Sequence, residues 1–384
     1  MNEITDQFLH VSQYYCDYNA TTPMANSLVE AAGNAYKNHW LNPSAIYRNA
    51  DVEAKKIEML SLKFSRLTGA ENTRTIICSC ATEATNQAIY SLFLNLGPEA
   101  EIVITDSEHS AVKRPAVRWF GKKLVTIAAA DLLQDCSELK QVAATGGKKV
   151  FFIQSSNNET GVVNPVKKVR ELIGKDDLLV LDASQSFGKQ SDFFDVMKYA
   201  DVVVLSPHKF YGPKGFGLLI WSERAGKLSS LIDGGGQQSD LRGGTENTPA
   251  LYLLDKWLDS VPKLIEKFHL VEKFRNDFET RLFAGIENSY ALNQKFQRLM
   301  NTATVYLPNK VSELVVHALD AAGIMASSGS ACRSGSAEPS KSYLAAGITW
   351  DKAHSVIRFS FGFSNLRISA NELADQVIEI VKKS

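Results

Sequence analysis

A lysine and a histidine stand side by side in Ser206-Pro207-His208-Lys209-Phe210-Tyr211-Gly212-Pro213-Lys214-Gly215, between the apolar run Val202–Leu205 and a turn rich in glycine and proline. Such a pair is a poor choice for a solvated surface. A lysine at the heart of an α/β domain suits Schiff-base chemistry, because burial lowers its pKa and frees the amine as a nucleophile. Three more polar clusters follow apolar runs nearby: Cys78-Ser79-Cys80-Ala81-Thr82-Glu83, Ser155-Ser156-Asn157-Asn158-Glu159-Thr160-Gly161 and Asp182-Ala183-Ser184-Gln185. Singly, each has a bland reading: Thr82 as a helix cap, the second cluster as a turn, Asp182 as a strand-end cap. Together they form a set. A helix opening straight after a strand offers N–H groups and a hydroxyl to phosphate. A carboxylate one strand from the lysine suits the pyridinium nitrogen of pyridoxal phosphate, where a held proton makes the ring an electron sink. Other cofactors fit less well. No G-x-G-x-x-G follows the first strand, and neither Gly146-Gly147-Lys148-Lys149 nor the Gly212 turn continues as a phosphate loop. Cys78 and Cys80 lack a second close Cys/His pair, so no metal site is expected.

These groups need a scaffold, and the apolar pattern provides one. Runs at Thr75–Ile77, Ile102–Ile104, Val150–Ile153, Leu178–Leu181, Val202–Leu205 and Leu218–Ile220 are apolar almost throughout, as strands covered on both faces are. Ala84, Ala88, Ile89, Leu92, Phe93 and Leu96 fall on one helical stripe that Gly97-Pro98 stops. Alternation of this kind predicts an α/β protein with a mostly parallel sheet flanked by helices. Ligands in such sheets sit at the carboxyl ends of the strands, where the polar clusters lie. Past Leu258 the rhythm changes to charged helical sequence (Lys263 to Phe283), then to strand-like Ala303–Leu307 and Ile357–Phe361. A last helix is announced by a capping box, Ser369-x-x-Glu372. The expected division is a large cofactor-binding domain over 17–260 and a smaller α+β domain from 1–16 and 261–384.

Composition narrows the function. The 384 residues carry 42 Lys plus Arg against 42 Asp plus Glu, which argues against direct nucleic-acid binding through phosphate neutralisation. No apolar run approaches the roughly 20 residues of a membrane helix. The start, MNEITDQF, has no basic region and does not read as a targeting peptide. Five cysteines, an odd number, make no disulfide framework, so a reduced, cytoplasmic compartment is expected.

Asp182-Ala-Ser-Gln185, Ser206-x-His208-Lys209-x-Tyr-Gly-Pro-Lys-Gly and Ser327-Ser-Gly-Ser-Ala-Cys332 together resemble the cysteine desulfurases, pyridoxal-phosphate enzymes of the class-V aminotransferase group, in their NifS/IscS-like branch. The resemblance runs along nearly the whole chain, through Asp17-x-Asn19-Ala-Thr-Thr-Pro23, Asn42-Pro-Ser44, Glu108-His109, Asn157-Asn-Glu-x-Gly161, Gly234-Gly-Gly-Gln237, Arg242-x-Gly-Thr245 and Ile357-Arg358-x-Ser360. It implies an aspartate-aminotransferase-like fold and conversion of L-cysteine to L-alanine. Lys209 would carry the cofactor and move the substrate's α-proton. Asp182 would pair with the pyridine nitrogen, Gln185 support the ring hydroxyl, and His109 stack on the ring, placed to assist proton transfer. Ala81 (by its backbone), Thr82, Ser206 and His208 would grip the phosphate, with Thr245 reaching in from the partner of a homodimer. Asn158, beside the cofactor, and Arg358 would orient the substrate. Cys332, in a serine- and glycine-rich loop, would accept the sulfur as a persulfide and pass it to an acceptor protein. Iron–sulfur assembly, tRNA thiolation and DNA sulfur modification are all open as destinations. The remaining cysteines are read as packing residues. One departure falls at the cradle, where Cys80 stands in place of the family's usual glycine; another is Gln238 in place of a common Glu. The alternatives are a selenocysteine lyase or other class-V enzyme, and a catalytically idle homologue that binds partners.

Overall fold

The computed structural model describes residues 2–67, 69, 73–329 and 340–384. Its main sheet has seven strands: β1 (Thr73–Cys78), β2 (Glu101–Thr105), β3 (Leu124–Ile127), β4 (Lys149–Gln154), β5 (Leu178–Asp182), β6 (Val202–Leu205) and β7 (Gly217–Ser222). They lie in the order β1-β7-β6-β5-β4-β2-β3, with β7 antiparallel to both its neighbours and the other pairs parallel. The architecture is the expected mostly parallel sheet flanked by helices. The central strands carry little but apolar residues because helices cover both faces; every residue of β4 is buried. All six apolar runs are strands. The seventh strand, β3, is an edge of four residues behind Lys122-Lys123, too short and too exposed to show an apolar run.

The other edge, β1, is finished by a side chain. The amide of Gln238 accepts from Ile77 N at 2.8 Å and donates to Ile77 O at 2.9 Å. A glutamate there would lack the donor.

The helix after β1, Ala81–Leu96, buries Ala84, Ala88, Ile89 and Leu92 and ends at Gly97 (φ 78°), as its stripe predicted. Its start is drawn in tightly. A Cβ at Gly217 on β7 would fall 2.1–2.3 Å from the backbone of Cys80 and Ala81, so only glycine allows this approach. Gly146-Gly147-Lys148-Lys149 is structural: the buried Lys149 amine donates to the carbonyls of Thr145, Gly146 and Gly147.

A second sheet, β8 (Tyr290–Ala291), β9 (Thr302–Tyr306) and β10 (Val356–Ser360), is antiparallel in the order β10-β9-β8. Residues 11–18 run against its surroundings: Asn365 donates to the Gln13 and Tyr15 carbonyls, Arg367 to Val11, and Tyr18 N to Ser360 O. The helix Ala370–Lys383 follows Ser369, but the capping box does not form, since no side chain bonds the first turn. Burial of Leu373, Ala374, Val377, Ile378 and Val381, packed largely on the helix His269–Gly285, holds this helix instead. Among the described residues no helix is long and apolar enough to cross a membrane.

Candidate active site

Lys209 ends a short 3-10 turn, Pro207–Lys209, at the carboxyl end of β6. Its Nζ donates to the main-chain oxygens of Asn19 (2.9 Å) and Ala20 (2.6 Å). Beside it, His208 Nδ1 is 2.9 Å from Thr21 Oγ1. Burial, with Lys209 next to it, pushes the His208 imidazole down to about 4, so it is neutral near pH 7. Asp182 closes β5, and its Oδ1 accepts from Ser184 N at 3.0 Å. His109 is the N-cap of the helix Ser110–Phe120, where Nδ1 accepts from Ala111 N at 3.1 Å. The neutral ring therefore carries its proton on Nε2. Burial holds the His109 pKa below the usual histidine value, against the pull of Asp182 and with a smaller push from Lys209.

Arg358, on β10, reaches the same space from the second sheet. It is 2% exposed and donates to Asn158 O at 3.0 Å and Asp17 Oδ1 at 2.5 Å. These groups surround a cavity of about 300 Å³ that is also lined by Ala81, Thr82, Asn158, Gln185, Ser206 and His208. Ten of the twelve residues expected at the site thus share one cavity. Thr245 is exposed and does not line the cavity of its own chain. Cys332 lies outside the described residues.

Other residues in or next to the cavity wall lie outside the expected set. Asn19 sits within the quoted Asp17–Pro23 motif, and its carbonyl receives both Lys209 and Gln185. Thr85 and Ser156 are buried, line the cavity, and have no partner for their hydroxyls. Glu108, adjacent to His109, is buried with Oε1 accepting from Thr105 Oγ1 and Gln154 N, both at 2.9 Å. Burial is the main cause that pushes its pKa up to about 8, and Asp182 adds to it. Cys80 corrects the packing assignment: it is exposed, lines the cavity and caps the helix, its Sγ accepting from Glu83 N at 3.4 Å. Its backbone is extended (φ −166°), which any residue adopts, so a side chain is accommodated where the family pattern has glycine. The cap is therefore Cys80, and Thr82 is free of that duty. Among the described residues, no group of three or more His, Cys, Asp or Glu could hold a metal ion.

A mostly parallel sheet that gathers one amine, one carboxylate and a helix N-terminus at its strand ends defines a class before any detail of substrate. The chain belongs to the aminotransferase class-V family, whose model matches residues 14–371, a family of pyridoxal-phosphate enzymes. It is similar to the cysteine desulfurase IscS of Methanosarcina thermophila, 32% identical over 377 residues that cover 96% of this chain and 90% of that protein. Among solved structures, a NifS-like protein superposes with a TM-score of 0.83 at 24% identity, covering 96% of this chain and 99% of its own. SspA, solved in complex with cysteine, gives a TM-score of 0.71 at 26% identity over 90% of this chain and 98% of that one.

The cavity fits pyridoxal phosphate. Its wall holds an amine, a carboxylate and the first turn of helix 81–96, whose N–H groups have no intrahelical acceptors. Three of its lining residues carry a buried polar atom without a partner: Thr85 Oγ1, Ser156 Oγ and Arg358 Nε. Buried polar groups left unpaired are costly, so such a set calls for a polar ligand.

Proposed function

We propose that the protein is a cysteine desulfurase that works with pyridoxal phosphate, releases L-alanine from L-cysteine and leaves the sulfur on Cys332 as a persulfide. The observation that carries this reading is the convergence of Lys209, Asp182, His109 and Arg358 on one cavity. Bound there, the cofactor supplies an electron sink for charge developing at the substrate's α-carbon.

The residues divide the remaining work. Lys209 Nζ would hold the cofactor, and its amine would take the substrate's α-proton; the Asn19 and Ala20 carbonyls are placed to steady the resulting ammonium. Asp182 would hold a proton on the pyridine nitrogen. His109 would hold the cofactor ring by stacking, with its Nε2–H available for proton transfer. Ala81 N, Thr82, Ser206 and His208 bind phosphate; a neutral His208 donates there without adding a cation. Asn158 and Arg358 orient the substrate, Arg358 by its guanidinium to the carboxylate. The Cys332 thiolate attacks the substrate sulfur: the S–S bond forms, the C–S bond breaks with its electron pair left on carbon, and protons returned to carbon give alanine. Arg333, next to Cys332 in the sequence, would favour the thiolate.

The proposal extends to a homodimer with Thr245 reaching the partner's phosphate. Exposed Tyr36, Trp40, Ile46, Tyr47, Met59 and Leu62 support it, since large apolar side chains crowded into one stretch suit coverage by a second copy. The division into 17–260 and 1–16 with 261–384 is part of the same reading, supported by the bonds from residues 11–18 to the C-terminal segment. So are a cytoplasmic setting, in keeping with the four free cysteines described, and a sulfur-acceptor protein. The decisive experiment incubates purified protein with L-cysteine, assays alanine, and maps added sulfur by mass spectrometry. Borohydride should trap the cofactor on Lys209; a trapped adduct on another lysine would sink the assignment.

A further inference from the structure

We infer that Lys189 is a positioning residue: from behind the cavity wall it fixes the Gln185 amide so that an N–H, and not a carbonyl oxygen, is offered to the ligand.

Lys189 is 1% exposed and does not line the cavity, whereas Gln185 does. The two are four residues apart on the turns that follow β5. Gly188 (φ 71°) makes the turn possible, with the Phe210 ring packed where its Cβ would be. The Lys189 main chain is pinned as well, its N–H donating to Ser186 O and its oxygen accepting from Met300 N.

The side-chain geometry decides the orientation. Lys189 Nζ is 2.5 Å from Gln185 Oε1 and 3.4 Å from Asn19 Oδ1. The other end of the Gln185 amide, Nε2, donates to the main-chain oxygen of Asn19 at 2.9 Å. A main-chain carbonyl only accepts, so the end facing Asn19 must be the NH₂ group. The lysine amine donates, so the opposite end must be the oxygen. Two neighbours of opposite polarity impose the same answer, and a flipped amide would set oxygen against oxygen. Nε2 has two hydrogens, and one is spent on Asn19. The second serves an acceptor in the cavity, a phenolate or carboxylate oxygen. Burial, with Lys209 and Arg358 nearby, pushes the Lys189 amine well below the usual lysine range. In either protonation state the amine keeps an N–H to donate to Gln185 Oε1, and the Asn19 carbonyl, which only accepts, keeps the NH₂ end on its own side.

The inference rests on the reading that pyridoxal phosphate occupies the cavity, and it is tested by titrating that cofactor into apo-protein, following its absorbance. Lys189→Met should weaken binding about tenfold and shift the absorbance of the bound cofactor. Gln185→Ala should do the same, and the double variant should be no worse than Gln185→Ala alone, because one interaction cannot be lost twice. Gln185→Glu keeps a partner for Lys189 but has no N–H; it should bind as poorly as Gln185→Ala, and it serves even where Lys189→Met does not fold. Wild-type affinity in Lys189→Met, full additivity in the double variant, or wild-type affinity in Gln185→Glu would overturn the inference alone. Failure of the wild-type protein to bind the cofactor would overturn the functional reading, and the inference with it.

Discussion

Arg358 and Asp17 are paired inside the chain, Nη2 to Oδ1 at 2.5 Å, while Arg358 Nε, buried on a residue that lines the cavity, has no partner. The arginine assigned to the substrate carboxylate is thus already oriented before any substrate arrives. Asp17 and the Asn158 carbonyl hold two of its nitrogens and leave the rest of the fork for an anion.

Arg358→Lys should therefore raise KM for L-cysteine about tenfold or more, with a smaller fall in kcat. A lysine keeps the charge, but not the planar fork that holds Asp17, Asn158 and a carboxylate together. Steady-state alanine release measures both constants. A fall in kcat with KM unchanged would count against a role in substrate binding.

Glu108, by its burial, makes the protein's stability depend on pH. Its folded pKa, about 8, lies above the value of 4.5 for an unperturbed carboxyl, so the folded state binds the extra proton. The contribution is fully present below the unfolded value and is lost as pH rises through the folded one, by about 1.4 kcal/mol per pH unit at most. His208 works oppositely, its stability falling as pH drops towards about 4. Glu108→Gln mimics the protonated carboxyl, so its melting temperature relative to wild type should rise between pH 7 and pH 9. A constant difference across that range would refute the assignment.

The strand-end clusters were legible because burial forces a choice. A polar run directly after an apolar strand must be a turn, a cap or a site, and the combination of amine, carboxylate and helix start selects the last. What escaped was decided by distance in sequence. Nothing about Asn19 on its own says that Lys209, 190 positions away, will donate to its carbonyl. Thr85 and Ser156 look like ordinary helix and turn residues until the cavity shows their hydroxyls unpaired. Cys80 reads as packing by residue type, yet it sits on the outside of a helix start and uses its sulfur as a cap. At Ser369 the sequence pattern for a cap is present, but packing alone holds the helix.

Those two unpaired hydroxyls carry their own test. A buried hydroxyl without a partner costs about 1–3 kcal/mol, so Thr85→Val and Ser156→Ala should leave the apo-protein as stable as before or more so. If the cavity's ligand uses them, each variant should bind pyridoxal phosphate, or cysteine on the loaded enzyme, roughly fivefold more weakly. Thermal melts without cofactor and binding titrations separate the two effects. Loss of apo stability with unchanged binding would mark them as structural.

Thr245 supplies the test of a shared site. It is exposed and away from its own chain's cavity. A Lys209→Ala protomer mixed with a Thr245→Ala protomer should form dimers with one intact site and so recover activity, as isologous assembly allows. No recovery despite proven subunit exchange would exclude sharing.

The final prediction concerns which thiol takes the sulfur. Four cysteines are described, and three of them, Cys16, Cys78 and Cys136, are buried. Burial pushes the Cys16 and Cys78 thiols far above the ordinary range, which leaves little thiolate for attack. Cys80 is exposed at the cavity wall, but its sulfur is engaged by Glu83 N–H and its backbone is clamped against Gly217. One thiol must meet both the substrate and an outside acceptor, and a clamped helix cap cannot travel between them. Cys332, among serines and glycines, is the remaining candidate. Cys332→Ser should keep the cofactor and its spectral response to cysteine, because the roles proposed for Lys209 and Asp182 concern the cofactor and the α-proton and not the sulfur. It should build no protein persulfide and release almost no alanine, since a serine hydroxyl cannot accept the sulfur. Cys80→Ala should retain most of the turnover, and bound pyridoxal phosphate should protect Cys80 from iodoacetamide. Added sulfur on Cys80, in a Cys332→Ser protein that still turns over, would overturn the assignment of Cys332.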